Sequence, residues 1–255
     1  FLRTDSTRSA RPRMMPAWVA PISLSPLLVT MSAPAWIDSR SVGSGSKPNR
    51  REAVLLPLDP QGGIGSRARS VDLSPWFAAL GRRFRVVNIE GAFVDGPFLS
   101  LLQRGNTTEA NDARIRVALG STLDALARGR RPSAADIVSI TPFELGRIDG
   151  VPLCFTDGAA LPGGAFVFTA VAEDTDDGVA DGACIGSALG IVGADDRLRA
   201  LWRFPAGLKP EGVCIASAGP TLELLVCTDA DDADLPALLL QVSIDAADLR
   251  KVYFR

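Results

Sequence analysis

The chain has 255 residues, 47% hydrophobic and 22% charged, which excludes disorder throughout and allows a core in one or two domains. A net charge of −2 supplies no global field for nucleic acid or an anionic membrane. Histidine is absent, which excludes Ser–His–Asp and Cys–His catalysis, His-ligated zinc and an imidazole base. Acid–base chemistry is left to carboxylates, Lys, Tyr253 or metal-bound water.

Residues 1–37 open on Phe1 and run from a basic lead through a proline-interrupted apolar stretch to Ala33-Pro34-Ala35, a small-residue cleavage pattern. Prolines break the helix that a signal peptide needs, and no stretch offers about 20 unbroken apolar residues for a membrane span. The segment is expected to be a leader or a damaged N-terminal piece, poorly structured, with the folded domain at 38–255. A cytoplasmic protein follows; the alternative is a secreted or periplasmic one, exported through residues 1–35.

Next comes Gly43-Ser44-Gly45-Ser46, followed by Lys47, Asn49, Arg50 and Arg51. It lacks the G-K-[ST] ending of a phosphate-binding P-loop, but Gly-rich turns beside Arg suit a carboxylate or phosphate group. A short helix is predicted at "SPWFAALG", with Ser74 as cap, Pro75 at its first position and Gly81 as stop. A second is predicted after Ser121 in "TLDALARG", ending at Gly129.

Three segments repeat: 88–106 ("NIEGAFVDGPFLSLLQRGN"), 155–175 ("FTDGAALPGGAFVFTAVAEDT") and 209–232 ("KPEGVCIASAGPTLELLVCTDADD"). Each opens on an acid and a glycine, at Glu90-Gly91, Asp157-Gly158 and Glu211-Gly212. A short strand, a Gly or Pro turn and a more apolar strand follow, and each ends polar. Further strands are predicted in "ARIRVALGSTL", "SALGIVGADDRLRALWRF" and "ALLLQVSIDAADLRKVYF", and residues 43–73 supply half of another unit. The predicted fold is all-β: a small β-propeller of four-stranded antiparallel blades, four visible, five or six if N-terminal strands contribute.

The motifs GSGSKPNRR, NIEGA with LLQRGN, FTDGAALP with AVAEDTDDGVADGACIGSALG, and KPEGV with LLVCTDADD resemble a bacterial family of uncharacterised proteins over about residues 40–245. The resemblance implies a β-propeller distantly similar to the phytase-like, esterase-like propellers.

By the repeat, Glu90, Asp157 and Glu211 should converge near one axis, where carboxylates must protonate, pair with Arg or bind a cation. Glu173 and Asp174 lead a run of acids with Asp176, Asp177 and Asp181. An oxygen-only set of Glu90, Asp157, Glu211, Glu173 and Asp174 suits Ca²⁺. Against this stands local capping of backbone amides, and pairing of Arg104 with a channel acid. Arg104, Asn106, Lys47 and Arg50 are candidate ligand-binding residues. Cys154, Cys184, Cys214 and Cys227 show no C-x-x-C spacing and read as inert buried thiols.

The expected function is a ligand- or partner-binding module at the channel mouth. The alternative is a Ca²⁺-dependent hydrolase of an ester, lactone or phosphoester. The expected partner is a small molecule or a protein, with no nucleic acid, no membrane span and a monomeric chain.

Overall fold

Short alternating segments punctuated by Gly, Pro and Asp turns cannot bury an apolar face alone, so they pair into antiparallel sheets and stack. The computed structural model describes residues 41–55, 68–106, 109, 111–175, 182–232 and 234–245, and residues 23–26 by backbone alone. The acids at 176, 177 and 181 and the second half of the stretch 237–254, from residue 246 on, lie outside the described residues.

The chain is mostly β. Strands β2 (Ser41–Val42), β3 (Glu52–Leu55) and β4 (Arg69–Asp72) form a three-stranded sheet. β5 (Ile89–Asp95), β6 (Phe98–Gln103), β7 (Ala113–Ala118) and β8 (Ile137–Pro142) form the next, in that order. A two-stranded ribbon, β9 (Arg147–Ile148) with β10 (Val151–Pro152), leads to β11 (Cys154–Ala160), β12 (Phe166–Asp174), β13 (Ala183–Val192) and β14 (Leu198–Arg203). β15 (Pro210–Ala218), β16 (Thr221–Thr228) and β17 (Leu239–Asp245) follow. The fourth strand of that last sheet is β1 (Ser23–Pro26), which pairs with β17 from Ser23–Ser243 to Pro26–Leu240. Residues 23–26, within the segment 1–37, thus supply a strand to that sheet.

Successive sheets share cores. Ala53 and Val71 pack with Leu99, Leu101, Ile115 and Val117; Phe93 and Leu102 pack with Phe155, Phe166 and Phe168; Leu189 and Trp202 pack with Leu224 and Val242. Each fully buried side chain of this size contributes about 1.5–3 kcal/mol. β12 is buried on both faces because it lies between two such seams, so its sequence reads as a continuous apolar run. In the middle seam Arg114 is fully buried, paired to Asp196 and 3.8 Å from Asp95, with its guanidinium 4.8 Å over the Phe166 ring. Burial, helped by Arg116 and opposed by Asp95, lowers its pKa to about 10.

Both predicted helices form, with other caps than expected. α1 (Ser74–Leu80) starts after Leu73, and the Ser74 amide donates to Asp72 Oδ1 at 2.8 Å. α2 (Leu119–Ala127) begins two residues before Ser121, with the Leu119 amide on the Pro97 carbonyl at 2.9 Å. Ser121 Oγ instead donates to Asp136 Oδ1 at 2.6 Å. No helix among the described residues is long and apolar enough to cross a membrane.

Candidate functional site

The first strand of each of the last three sheets carries a bulge at its repeat motif. The extra residue is Glu90 in β5, Thr156 just before Asp157 in β11, and Glu211 in β15. A bulge re-aims the side chains around it. The glycines that follow allow close approach: a Cβ on Gly91 would stand 3.1 Å from the Asp157 carboxylate, and one on Gly212 would stand 2.6 Å from Cys227 Sγ.

Strand starts β5, β11 and β15 and strand ends β6, β12 and β16 lie at one end of their hairpins, and there the charges meet. Arg104, just beyond β6, donates to Glu173 Oε2 at 2.6 Å and stands 3.8 Å from Glu90 Oε1. Lys209, just before β15, lies 2.8 Å from Glu173 Oε1 and 3.5 Å from Glu211 Oε1, and also pairs with Asp231. The result is an ionic chain, Glu90–Arg104–Glu173–Lys209–Glu211, crossing three sheets. Glu173 and Lys209 are 3% and 6% exposed, whereas Glu90 and Glu211 are each 27% exposed, so the chain is buried in its middle and open at its ends.

Local structure holds Arg104 in place. Buried Gln103 accepts the Asn88 amide at 2.9 Å and donates to the Arg104 carbonyl at 2.6 Å, while the Arg104 amide donates to the Asn88 carbonyl. Asn106 Oδ1 accepts the Glu109 amide at 2.7 Å, which closes the following loop. Asp112, 1% exposed, accepts the Phe155 amide at 2.8 Å and the Gly105 amide, stapling that loop onto β11.

The electrostatics follow from this packing. Burial pushes Asp112 up to about 6 against the Phe155 and Gly105 amides. Burial likewise raises Asp157 to about 6, opposed by the Val213 and Gly158 amides and assisted by Glu90. Glu211 is pushed up to about 7 by burial, with Lys209 and Arg104 opposing and Glu90 and Glu173 adding. For Lys209 burial works against the charge, but the hydrogen bonds to Asp231 and Glu173 and the field of Glu211 outweigh it and hold the ammonium form. Glu173, Glu90 and Glu211 do the same for Arg104.

Of the predicted site residues, the structure brings Glu90, Arg104, Glu173 and Glu211 into one chain. Asp157 stands beside them, its Oδ2 accepting the Val213 amide at 2.9 Å and joining β11 to β15. Asp174 is exposed at the end of β12. Lys47 and Arg50 are exposed in the loop between β2 and β3; that loop reaches the same region, since the Ser44 carbonyl accepts the Ile89 amide at 2.9 Å. Neither joins the ionic chain among the described residues. Cys184, Cys214 and Cys227 are exposed free thiols, which corrects the expectation of buried ones; Cys154 is buried. Among the described residues no group of three or more Cys, Asp or Glu side chains is arranged to hold a metal ion.

Lys209 and Asp112 carry much of this arrangement and were not singled out in the sequence. Lys209 had a signal, being one of three lysines and standing two residues before a repeat acid. Asp112 had none, because its burial comes from β11, more than 40 residues later.

A comparison with curated proteins finds no match. The solved structure of Kuenenia stuttgartiensis hydrazine synthase aligns with a TM-score of 0.35 and 15% identity, over 72% of this chain and 51% of that one. This chain therefore spans about half the length of that protein. Residues 38–233 match a family of unknown function (DUF6910), and the chain belongs to that family.

Proposed function

We propose that the chain is a small β-propeller, with its four main sheets as blades, and that it acts as a monomeric binding module at the end where the repeat acids stand. The ionic chain carries this reading. It draws charged groups from three sheets to one end and leaves Glu90 and Glu211 partly open to solvent. Among the described residues of this ionic chain, Glu90, Glu173, Glu211 and Asp231 stand with Arg104 and Lys209, a net negative set, so the open end favours a cationic group on a small molecule or a protein.

A Ca²⁺-dependent hydrolase of an ester, lactone or phosphoester is the second reading, and the likeness to phytase-like propellers belongs with it. The observation in its favour is the surplus of carboxylate oxygens at Glu90, Asp157 and Glu211. The present arrangement does not fit the ion, because Arg104 and Lys209 stand among these acids.

Titration calorimetry with spermidine and with Ca²⁺, each against wild type and Glu211→Gln, tests both. The binding reading expects saturable spermidine binding that weakens several-fold in Glu211→Gln and falls with added salt. Failure of spermidine to bind overturns the cationic-ligand reading. The calcium reading expects the ion to stabilise the fold by about 2.7 kcal/mol at a hundredfold excess over Kd, seen as a higher unfolding midpoint, and Asp157→Asn to remove most of that gain. A calcium-insensitive melt ends it.

A further inference from the structure

The face of the β5–β8 sheet that packs against β11–β14 is apolar at Phe93 and Leu102, but it also carries two arginines. Residues two apart on a strand share a face, so Arg114 and Arg116 of β7 point the same way, with Ser100 of β6 paired beside Arg116. Arg114 and Ser100 are fully buried. Two carboxylates reach in from hairpin turns at the end opposite the ionic chain. Asp196, between β13 and β14, pairs with Arg114, stands 3.7 Å from Arg116 Nη1 and accepts Thr141 Oγ1 at 3.3 Å. Asp95, at the end of β5, accepts Arg116 Nη2 at 3.4 Å.

These acids balance the two charges without using up the N–H groups. Arg114 Nε, Arg114 Nη1 and Arg116 Nε are shut off from solvent, and none finds a hydrogen-bond acceptor among the described residues. Asp95 stands 3.8 Å from Arg114 Nη1, beyond hydrogen-bond reach. The Ser100 hydroxyl beside them is orphaned in the same way. Buried polar groups are almost always satisfied, and a guanidinium can only donate, so what completes these groups is an acceptor. A water would bring hydrogens of its own, and the surroundings are aromatic: the Arg114 guanidinium lies 4.8 Å over the Phe166 ring and that of Arg116 lies 5.7 Å over Phe98. An anion only accepts. Burial and the neighbouring Arg116 push the Arg114 pKa down to about 10, and a negative charge between the two arginines would oppose both causes.

We propose that this inclusion binds one small monovalent anion of the halide class, held by the Arg114 and Arg116 guanidiniums and the Ser100 hydroxyl, and that the ion locks β5–β8 onto β11–β14. Asp95 and Asp196 already neutralise the arginines, so a polyvalent oxyanion would overcharge the site. The packed seam of Phe93, Leu102, Phe155 and Phe166 favours a single atom over a larger carboxylate. The site stands apart from the acidic end described above and does not depend on its ligand.

The full chain is exchanged into sodium gluconate, whose anion is too large for such a site, and unfolding is followed as sodium chloride replaces it at constant ionic strength. The midpoint should climb by about 3–5 °C for each tenfold rise in chloride above Kd, and bromide should act alike. Equilibrium dialysis with radiolabelled chloride should count a single ion per chain. Ser100→Ala should bind chloride about tenfold more weakly, yet be no less stable than wild type in gluconate, because it deletes an unmet hydroxyl. Arg116→Gln should lose the chloride response altogether; should it fail to fold, Ser100→Ala decides alone. The proposal is overturned by a midpoint indifferent to chloride, by dialysis that retains no ion, or by a full chloride response in Ser100→Ala. Equal destabilisation of Ser100→Ala in both salts, the mark of a hydroxyl held by water, overturns it too.

Discussion

Asp112, Asp157 and Glu211 each hold a proton more tightly in the folded chain than the ordinary carboxyl of an unfolded one. Their contribution to stability is therefore complete below about pH 4 and is lost as pH rises through 6 and 7. For Asp112 alone the shift from 3.8 to about 6 corresponds to something on the order of 3 kcal/mol. Asp72 and Glu223, lowered by hydrogen bonds from Ser74 and from Ser243, act in the opposite sense, but only below the ordinary carboxyl range. The unfolding midpoint should be higher at pH 5 than at pH 8, and Asp112→Asn or Glu211→Gln should flatten that dependence. A midpoint that rises from pH 5 to pH 8 would refute the assignment. Lys209 poses the complementary case. Lys209→Met removes one of the two cations that hold the buried Glu173 carboxylate, leaving Arg104, and takes away the cation beside Glu211, so denaturant unfolding should register a loss of about 1–3 kcal/mol. The repeat acids Glu90, Asp157 and Glu211 were legible from the sequence, because like positions in like units converge. Their cations were not. Arg104 stood out beside Gly105 and Asn106, but Lys209 sits before the motif, where the other two units carry no lysine.

At the level of strands, turn chemistry made most boundaries readable. Gly96 at φ 56° closes the β5–β6 hairpin, and Asp196 at φ 60° turns β13 into β14; both lie where Gly and Asp marked a turn. The bulges were not readable, since an extra residue leaves the apolar pattern of a short strand nearly intact. Nor were the helix caps, which were taken over by Pro97 and Asp72 from neighbouring elements. The close approach at the first strands gives a sharp test. A Cβ on Gly91 would meet the Asp157 backbone, the Asp157 carboxylate and Leu102, each at 3.1 Å. Gly91→Ala should cost about 1–3 kcal/mol by overpacking, although alanine suits an extended strand better than glycine does. A neutral or stabilising result would mean that β5 and β11 slide apart freely.

Across the whole molecule, each sheet is glued to the one before it in sequence, so sheets that touch in space are neighbours in chain order. β1 is the exception. Ser23 meets Ser243 about 220 residues later, and that pairing joins the first described strand to the last sheet. A chain growing at about 5–20 residues per second makes β1 on the order of 10–40 s before its partner strand exists. The other sheets can assemble in order behind the ribosome, each on a finished neighbour. The outer edge of β17 then emerges with unpaired amides and carbonyls, a template for any extended segment that reaches it first. A second chain in the same interval could lend its own β1 to that edge and form the same four rungs. Slow synthesis and crowding would therefore favour strand exchange between copies, and the timing of translation enters the choice between a self-contained chain and a shared one.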